Sequence, residues 1–325
     1  MARPVAEQGV DADALRAWTA TLIGDGAAKS AQFGIAVSGG ADSLALLLLA
    51  HRAFPGRVAA ATFDHQLREA GADEAAYVAR LCADIGVPHT TLVPAEPITG
   101  SLQAAARTAR YAALEEWRVA ERLDWVMTAH HADDQLETLV MRLNRSSGVA
   151  GLSGVRARTG HVLRPLLSVR RSALAALVQS EGWAVIDDPS NRDDRFDRAR
   201  VRKALAIGDL LDPAAAAVSV AALADADTAL EWATQMAIES RVTRDAGRVS
   251  IDVAGLPREL KRRLICAGLS MIDPMRDAPR GEAIDRAMAA LASGKAAMIG
   301  DTCLKSAKNT PDSWIFSRAA PRRIA

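Results

Sequence analysis

Cysteine is scarce in this 325-residue chain: Cys82, Cys266 and Cys303 are too far apart for any CxxC pair. That argues against a disulfide scaffold and a cysteine-rich zinc site, and it fits a reducing compartment. Charge of one sign is equally lacking, since 40 Lys+Arg stand against 39 Asp+Glu. A globally basic nucleic-acid coat is excluded, although a local basic patch is not. Long hydrophobic runs are absent too. The longest, Leu44 to Ala50, is far short of the ~20 residues a membrane span needs, and the first eighteen residues show no apolar export signal. A cytoplasmic protein without a membrane partner is therefore expected. No internal repeat is found, and neither GxxxxGK[ST] nor GxGxxG occurs, which disfavours kinases, GTPases and dinucleotide oxidoreductases.

What is present is half hydrophobic and 24% charged, the composition of a globular chain long enough for two domains. Short apolar runs at 34–37, 58–63, 89–93, 125–128 and 162–167 alternate with helical patterns at 43–53, 73–85, 102–122, 132–143 and 172–181. This alternation predicts an α/β fold, a Rossmann-like parallel sheet with helices on both faces. From Asp212-Pro213 an Ala-rich helical stretch begins, so a catalytic domain over 1–211 and a smaller, mainly helical domain over 212–325 are expected. The second should hold a strand near 249–253, helices at 257–271 and 282–292, and a closing hairpin ending at 314–316.

The chemistry concentrates in two places. Ile35 to Val37 runs into Ser38-Gly39-Gly40-Ala41-Asp42-Ser43 and straight on into an apolar helix. Two glycines allow a tight turn and close backbone approach, and the helix start supplies unpaired N–H groups, which together make a phosphate site. Ser38 and Ser43 add hydroxyls, and Asp42 is placed to hold Mg²⁺. This SGGxDS loop resembles the PP-loop of the N-type ATP pyrophosphatases, which implies ATP as the nucleotide and release of pyrophosphate. The second place is Thr128 to Thr138, where a strand end opens a helix and brings His130, His131, Asp133, Asp134 and Glu137 to the same sheet edge. Asp133 and Asp134 are further Mg²⁺ candidates, and without HExxH or thiolates zinc is disfavoured.

More motifs follow in order: His65-Gln-Leu-Arg68, Ala106-Arg-Thr-Ala-Arg-Tyr111, Arg142-Leu-Asn-Arg145, Gly151-Leu-Ser-Gly154, Arg164-Pro-Leu-Leu and Asp188-Pro-Ser-Asn191. With them the sequence resembles the bacterial tRNA(Ile)-lysidine synthases over Ile35 to Arg202. The resemblance implies that ATP and L-lysine modify the wobble cytidine of the isoleucine tRNA with a CAU anticodon. It also implies Arg107 or Arg110 on phosphate or the activated intermediate, and tRNA contact by Arg195, Arg198, Arg200 and Arg202. His131, Asp134 and Glu137 complete the expected catalytic set, with Glu137 or Asp134 pairing the α-ammonium of lysine. The oligomeric state stays open, a homodimer among the options. Two positions depart from the family pattern: Ser146 stands where glycine is usual, and Ala199 where asparagine is usual.

Overall fold

The computed structural model describes residues 9–66, 70–97, 102–186, 197–208, 210–308 and 310–319. Arg68, the 188–191 motif and Arg195 lie outside these residues. The chain divides into two compact units, Met1–Ala224 and Asp225–Ala325.

The first unit opens with helices α1 (Ala12–Ile23) and α2 (Asp25–Ser30). It continues as β1 (Phe33–Ala36), α3 (Ala41–Ala53), β2 (Val58–Phe63), α4 (Ala70–Asp84), β3 (His89–Leu92), α5 (Leu102–Ala120), β4 (Trp125–Met127) and α6 (Ala132–Leu143). Then come α7 (Val149–Leu152), the hairpin β5 (Arg158–Thr159) and β6 (Val162–Leu163), α8 (Arg171–Ser180), α9 (Asp197–Ile207) and the long α10 (Pro213–Arg241), within which the two units divide. The sheet order is β3-β2-β1-β4-β6-β5, and every pairing is parallel except β5 with β6. The strand order reverses direction between β1 and β4. Loops after these two strands therefore flank a crevice at the carboxyl edge, where open α/β sheets bind ligands.

One sheet face is sealed by α1, α3, α4 and α8 through Leu15, Leu44, Leu47, Val78 and Leu174, all buried. Every residue from Ser43 to Ala50 is buried, which explains why α3 reads as a continuous apolar run and not as an amphipathic stripe. On the other face α5 lays Leu114 and Trp117 against Ala61 and Val126. Gly34 permits this approach, since a Cβ there would sit 2.5 Å from the Trp117 ring. Strand β6 stops at Leu163, four residues before the end of the apolar run, because Pro165 has no N–H to continue a ladder. Helices α1, α2, α7 and α9 and the two-residue strand β5 have no counterpart among the expected elements; α2, α7 and β5 are short, and α9 is polar.

The second unit contains β7 (Val242–Asp245), β8 (Arg248–Asp252), α11 (Arg258–Ile272), α12 (Gly281–Ala292), β9 (Ala297–Ile299), β10 (Thr302–Ala307) and β11 (Thr310–Arg318). Its β part extends to an antiparallel sheet of order β7-β8-β11-β10-β9. Leu264, Leu269, Ile284, Leu304 and Phe316 form its core. By length and hydropathy α10 would also suit a bilayer, yet it carries Asp225, Asp227 and Glu231, and Asp227 is buried in an ion pair with Arg263 of α11.

Ser146 adopts φ 52°, a left-handed conformation that favours glycine. Ser146→Gly should therefore raise stability by up to about 1 kcal/mol, the relief of left-handed strain being partly offset by the freer unfolded chain. Denaturant melts would check this; an unchanged or lower midpoint would contradict it.

Candidate active site

The loop between β1 and α3 is held by its own serines. Ser43 Oγ donates to Gly40 O at 2.9 Å and accepts from Ser38 N at 3.1 Å, and the two hydroxyls lie 3.2 Å apart. Gly39 sits at φ 81°, and a Cβ there would strike Ile186, whose N–H donates to Gly39 O at 3.0 Å. No side chain caps α3 at Gly40, so the first-turn N–H groups face the crevice as an anion site.

Asp42 lies in that first turn. Its Oδ2 is 3.4 Å from His131 Nε2 and 3.9 Å from Arg171 Nε, while Oδ1 is buried with no hydrogen-bond partner. An unpaired buried carboxylate oxygen costs about 1–3 kcal/mol. Beside a phosphate loop it fits a hard cation, which takes oxygen ligands from one or two carboxylates and from substrate phosphates. Among the described residues no set of three His, Cys, Asp or Glu side chains could hold a metal by itself, so phosphate oxygens would have to complete any Mg²⁺ shell here.

His131 is the N-cap of α6. Its Nδ1 accepts from Asp134 N at 3.3 Å, and Asp134 Oδ2 accepts from His131 N at 3.0 Å, a reciprocal capping box. Burial alone would lower the His131 pKa, but the hydrogen bond to Asp42 and the charges of Asp134, Asp42 and Asp133 outweigh it and raise it. The capping bond requires an unprotonated Nδ1, which leaves the ring proton on Nε2, directed at Asp42. His130 behaves oppositely. Burial first, then the charges of Arg164, Arg110, Arg107 and Arg198, push it down to about 2, so its ring is neutral at physiological pH.

Each carboxylate of α6 is hydrogen-bonded, and Asp134 and Glu137 share Arg198. Asp133 Oδ2 accepts from Arg171 N at 2.8 Å and so ties α6 to the start of α8. Asp134 Oδ1 accepts from Arg198 at 3.0 Å. Glu137, 3% exposed, accepts from Arg202 Nε at 2.6 Å and from Arg198 Nε at 2.7 Å. Two of the arginines expected on tRNA thus point inward to the α6 carboxylates. Arg200, at 62% side-chain exposure, pairs among the described residues with Asp197 on its own helix and faces solvent. Ala199 is buried, so the asparagine usual in the family would be buried at this position. Arg107 and Arg110 lie on α5, stacked on Tyr111 and within electrostatic reach of His130. The structure therefore gathers the Ser38–Ser43 loop, His131, Asp134 and Glu137 at one edge. It adds Tyr111 and Arg164, to which sequence reasoning assigned no role although both stand in quoted motifs. Cys82 is buried in α4 with its thiol pushed up to about 12 by desolvation, which leaves it inert.

A mostly parallel sheet and a glycine loop with an uncapped helix start at the strand-order reversal define a PP-loop nucleotide-using enzyme. The PP-loop domain model matches residues 14–207. A tRNA(Ile)-lysidine synthase of Zymomonas mobilis is 39% identical over 91% of this chain and 91% of its own length, and one of Novosphingobium aromaticivorans is 42% identical over 89% of each. Among solved structures, the U34-tRNA thiolase NcsA of Methanococcus maripaludis with its [4Fe-4S] cluster superposes with a TM-score of 0.53 at 14% identity, covering 64% of this chain and 76% of that one, a likeness of fold alone. The chain belongs to the tRNA(Ile)-lysidine synthase family.

Proposed function

We propose that this enzyme, an ATP-using tRNA-modifying ligase by its family, joins L-lysine to C2 of the wobble cytidine in the CAU anticodon of isoleucine tRNA. The observation that supports this reading most is the PP-loop with its orphan Asp42 oxygen directly beside the His131–Asp134–Glu137 helix. Activation and amino-acid capture then share one sheet edge.

The chemistry has two steps. Cytosine O2 attacks the α-phosphate of ATP, the bond to the β-phosphate breaks and pyrophosphate leaves. The ε-amine of lysine then attacks C2, loses a proton, and AMP departs with the former O2. No protein nucleophile is required, so the rate must come from positioning and electrostatics. The N–H groups at the start of α3, with Ser38 and Ser43, hold the triphosphate; Arg107 and Arg110 meet the negative charge that develops at the α-phosphate. His131 orients Asp42, and Asp42, with phosphate oxygens, would hold Mg²⁺. When bound, the ion would neutralise charge on the departing pyrophosphate.

Asp134 and Glu137 draw the α-ammonium of lysine. Their oxygens accept from Arg198 and Arg202, so the incoming ammonium competes with a guanidinium. Because the carboxylates hold the α-ammonium, the ε-amine lies at the other end of lysine, away from the charge that would stabilise its unreactive ammonium. The second unit and the solvent face of α9 hold the tRNA in solution in the cytoplasm; a homodimer is compatible with this reading.

Nucleoside analysis of isoleucine tRNA after incubation with ATP and labelled lysine tests the function: lysidine must appear, and its absence would overturn the reading. For tRNA contact, Arg200→Ala should weaken binding and reduce the salt slope by about one unit at most, leaving lysine transfer on saturating tRNA intact. Unchanged affinity and slope would mark Arg200 as a merely solvated residue.

A further inference from the structure

Tyr111 follows Arg110 on α5, one turn beyond Arg107; two guanidiniums lie over its ring and a third meets its hydroxyl. The Cζ atoms of Arg107 and Arg110 lie 4.9 and 5.2 Å from the ring centroid. Arg164, immediately after β6, donates to Tyr111 Oη at 3.4 Å, and its other terminal nitrogen donates to Arg156 O at 2.8 Å and Thr159 Oγ1 at 3.2 Å. Arg107 donates to the same phenol oxygen at 3.5 Å. Among the described residues none of the three arginines forms an ion pair with a carboxylate. Arg164 is only 5% exposed, and its Nε, like that of Arg110, is buried without a partner.

A buried guanidinium without a counter-anion is costly, and three around one tyrosine repel one another. A carboxylate in place of the phenol would hold them better but would also cancel their charge. The tyrosine holds cations through the negative face of its ring and the lone pairs of its oxygen while leaving the net positive charge intact. Consistent with such a field, the phenol pKa is lowered: burial alone would raise it, but the hydrogen bond from Arg164 and the charges of Arg110, Arg164 and Arg107 outweigh burial. Strand β6 neighbours β4, whose end carries His130, so Arg164 emerges at the same sheet edge as the phosphate loop.

We propose that Arg164 and Tyr111 are positioning residues for adenylation. Arg164, pinned to the main chain of the β5–β6 region, fixes the phenol, and the phenol fixes Arg107 and Arg110 in a pose that meets phosphate with their charge undiminished. The proposal rests on the reading of Arg107 and Arg110 given above. Misplacing charge-stabilising groups by an ångström costs up to about 100-fold in rate.

The test is single-turnover adenylation of tRNA by Tyr111→Phe, which keeps the ring and loses only the hydroxyl, and by Arg164→Lys, which keeps the charge and loses the fork. Each should slow adenylation about 10-fold or more, with ATP KM and tRNA Kd within about 2-fold of the parent. Tyr111→Phe should melt as the parent does. In an Arg107→Ala, Arg110→Ala background the further change Tyr111→Phe should cost less than about 2-fold, because its effect acts through those arginines. A purely structural role would give additive losses, and additivity overturns the proposal. Parental rates in Tyr111→Phe and Arg164→Lys, with a slow Arg107→Ala, Arg110→Ala variant, would overturn the positioning role alone. A parental rate in the Arg107→Ala, Arg110→Ala variant would overturn the underlying reading of the two arginines as well.

Discussion

Asp42→Ala should lose adenylation by about 10³-fold or more, since removing a carboxylate that neutralises charge at the triphosphate forfeits several kcal/mol of barrier lowering. The same change should leave the melting temperature equal or higher. Oδ1 is buried and unpartnered in the folded chain, so its deletion removes a desolvation penalty of about 1–3 kcal/mol. Among the described residues Oδ2 makes two long contacts, to His131 at 3.4 Å and Arg171 at 3.9 Å, and losing the hydrogen bond from His131 offsets part of that gain. Stability and activity thus move in opposite directions, the signature of a residue retained for ligand binding. Thermal melts with pyrophosphate-release assays would check both halves. A variant that adenylates tRNA at the parental rate, or one that is strongly destabilised, would remove Asp42 from the phosphate site.

Glu137→Gln should impair lysine transfer far more than adenylation and should also destabilise the first unit. The buried carboxylate is the shared acceptor of Arg198 and Arg202, and breaking a buried ion pair on one side costs about 3–5 kcal/mol. Here the guanidiniums are 40% and 31% exposed, so screening by water brings the expectation nearer to about 2–3 kcal/mol. Arg198→Met separates the two effects. It removes one cation from α9 and frees oxygens of Asp134 and Glu137, so it should loosen α9 while leaving the carboxylates able to receive an ammonium. Denaturant melts report the first effect and single-turnover lysine transfer to pre-adenylated tRNA the second. Equal losses at both chemical steps in Glu137→Gln would instead tie Glu137 to the phosphate end of the site, and normal lysine transfer would take it out of the site.

Much of the catalytic unit was legible from residue order. The strands 58–63 and 125–127 and the helices α3, α6 and α8 follow from apolar runs and periodicity within a residue or two at most ends. The phosphate loop was legible because its chemistry is local: strand, glycines and helix start are contiguous, and the backbone alone creates the anion site. The contiguity of 128–137 likewise placed His131, Asp134 and Glu137 on one helix start. Less of the second unit could be read, because β7 is mostly exposed and β9 is three residues long, so neither shows a clear alternation.

Partnership was another matter. The resemblance implies tRNA contact for the arginines of α9, and only folding turned Arg198 and Arg202 onto buried Glu137 while leaving Arg200 to solvent. The cluster on Tyr111 joins α5 to a residue 53 positions later in the chain, a separation at which no periodicity carries information. Local order thus determined which backbone segments form the phosphate site and which residue types stand beside it. Tertiary packing alone decided which charges neutralise one another, because desolvation and Coulomb energy depend on distance and burial in space and not on spacing along the chain.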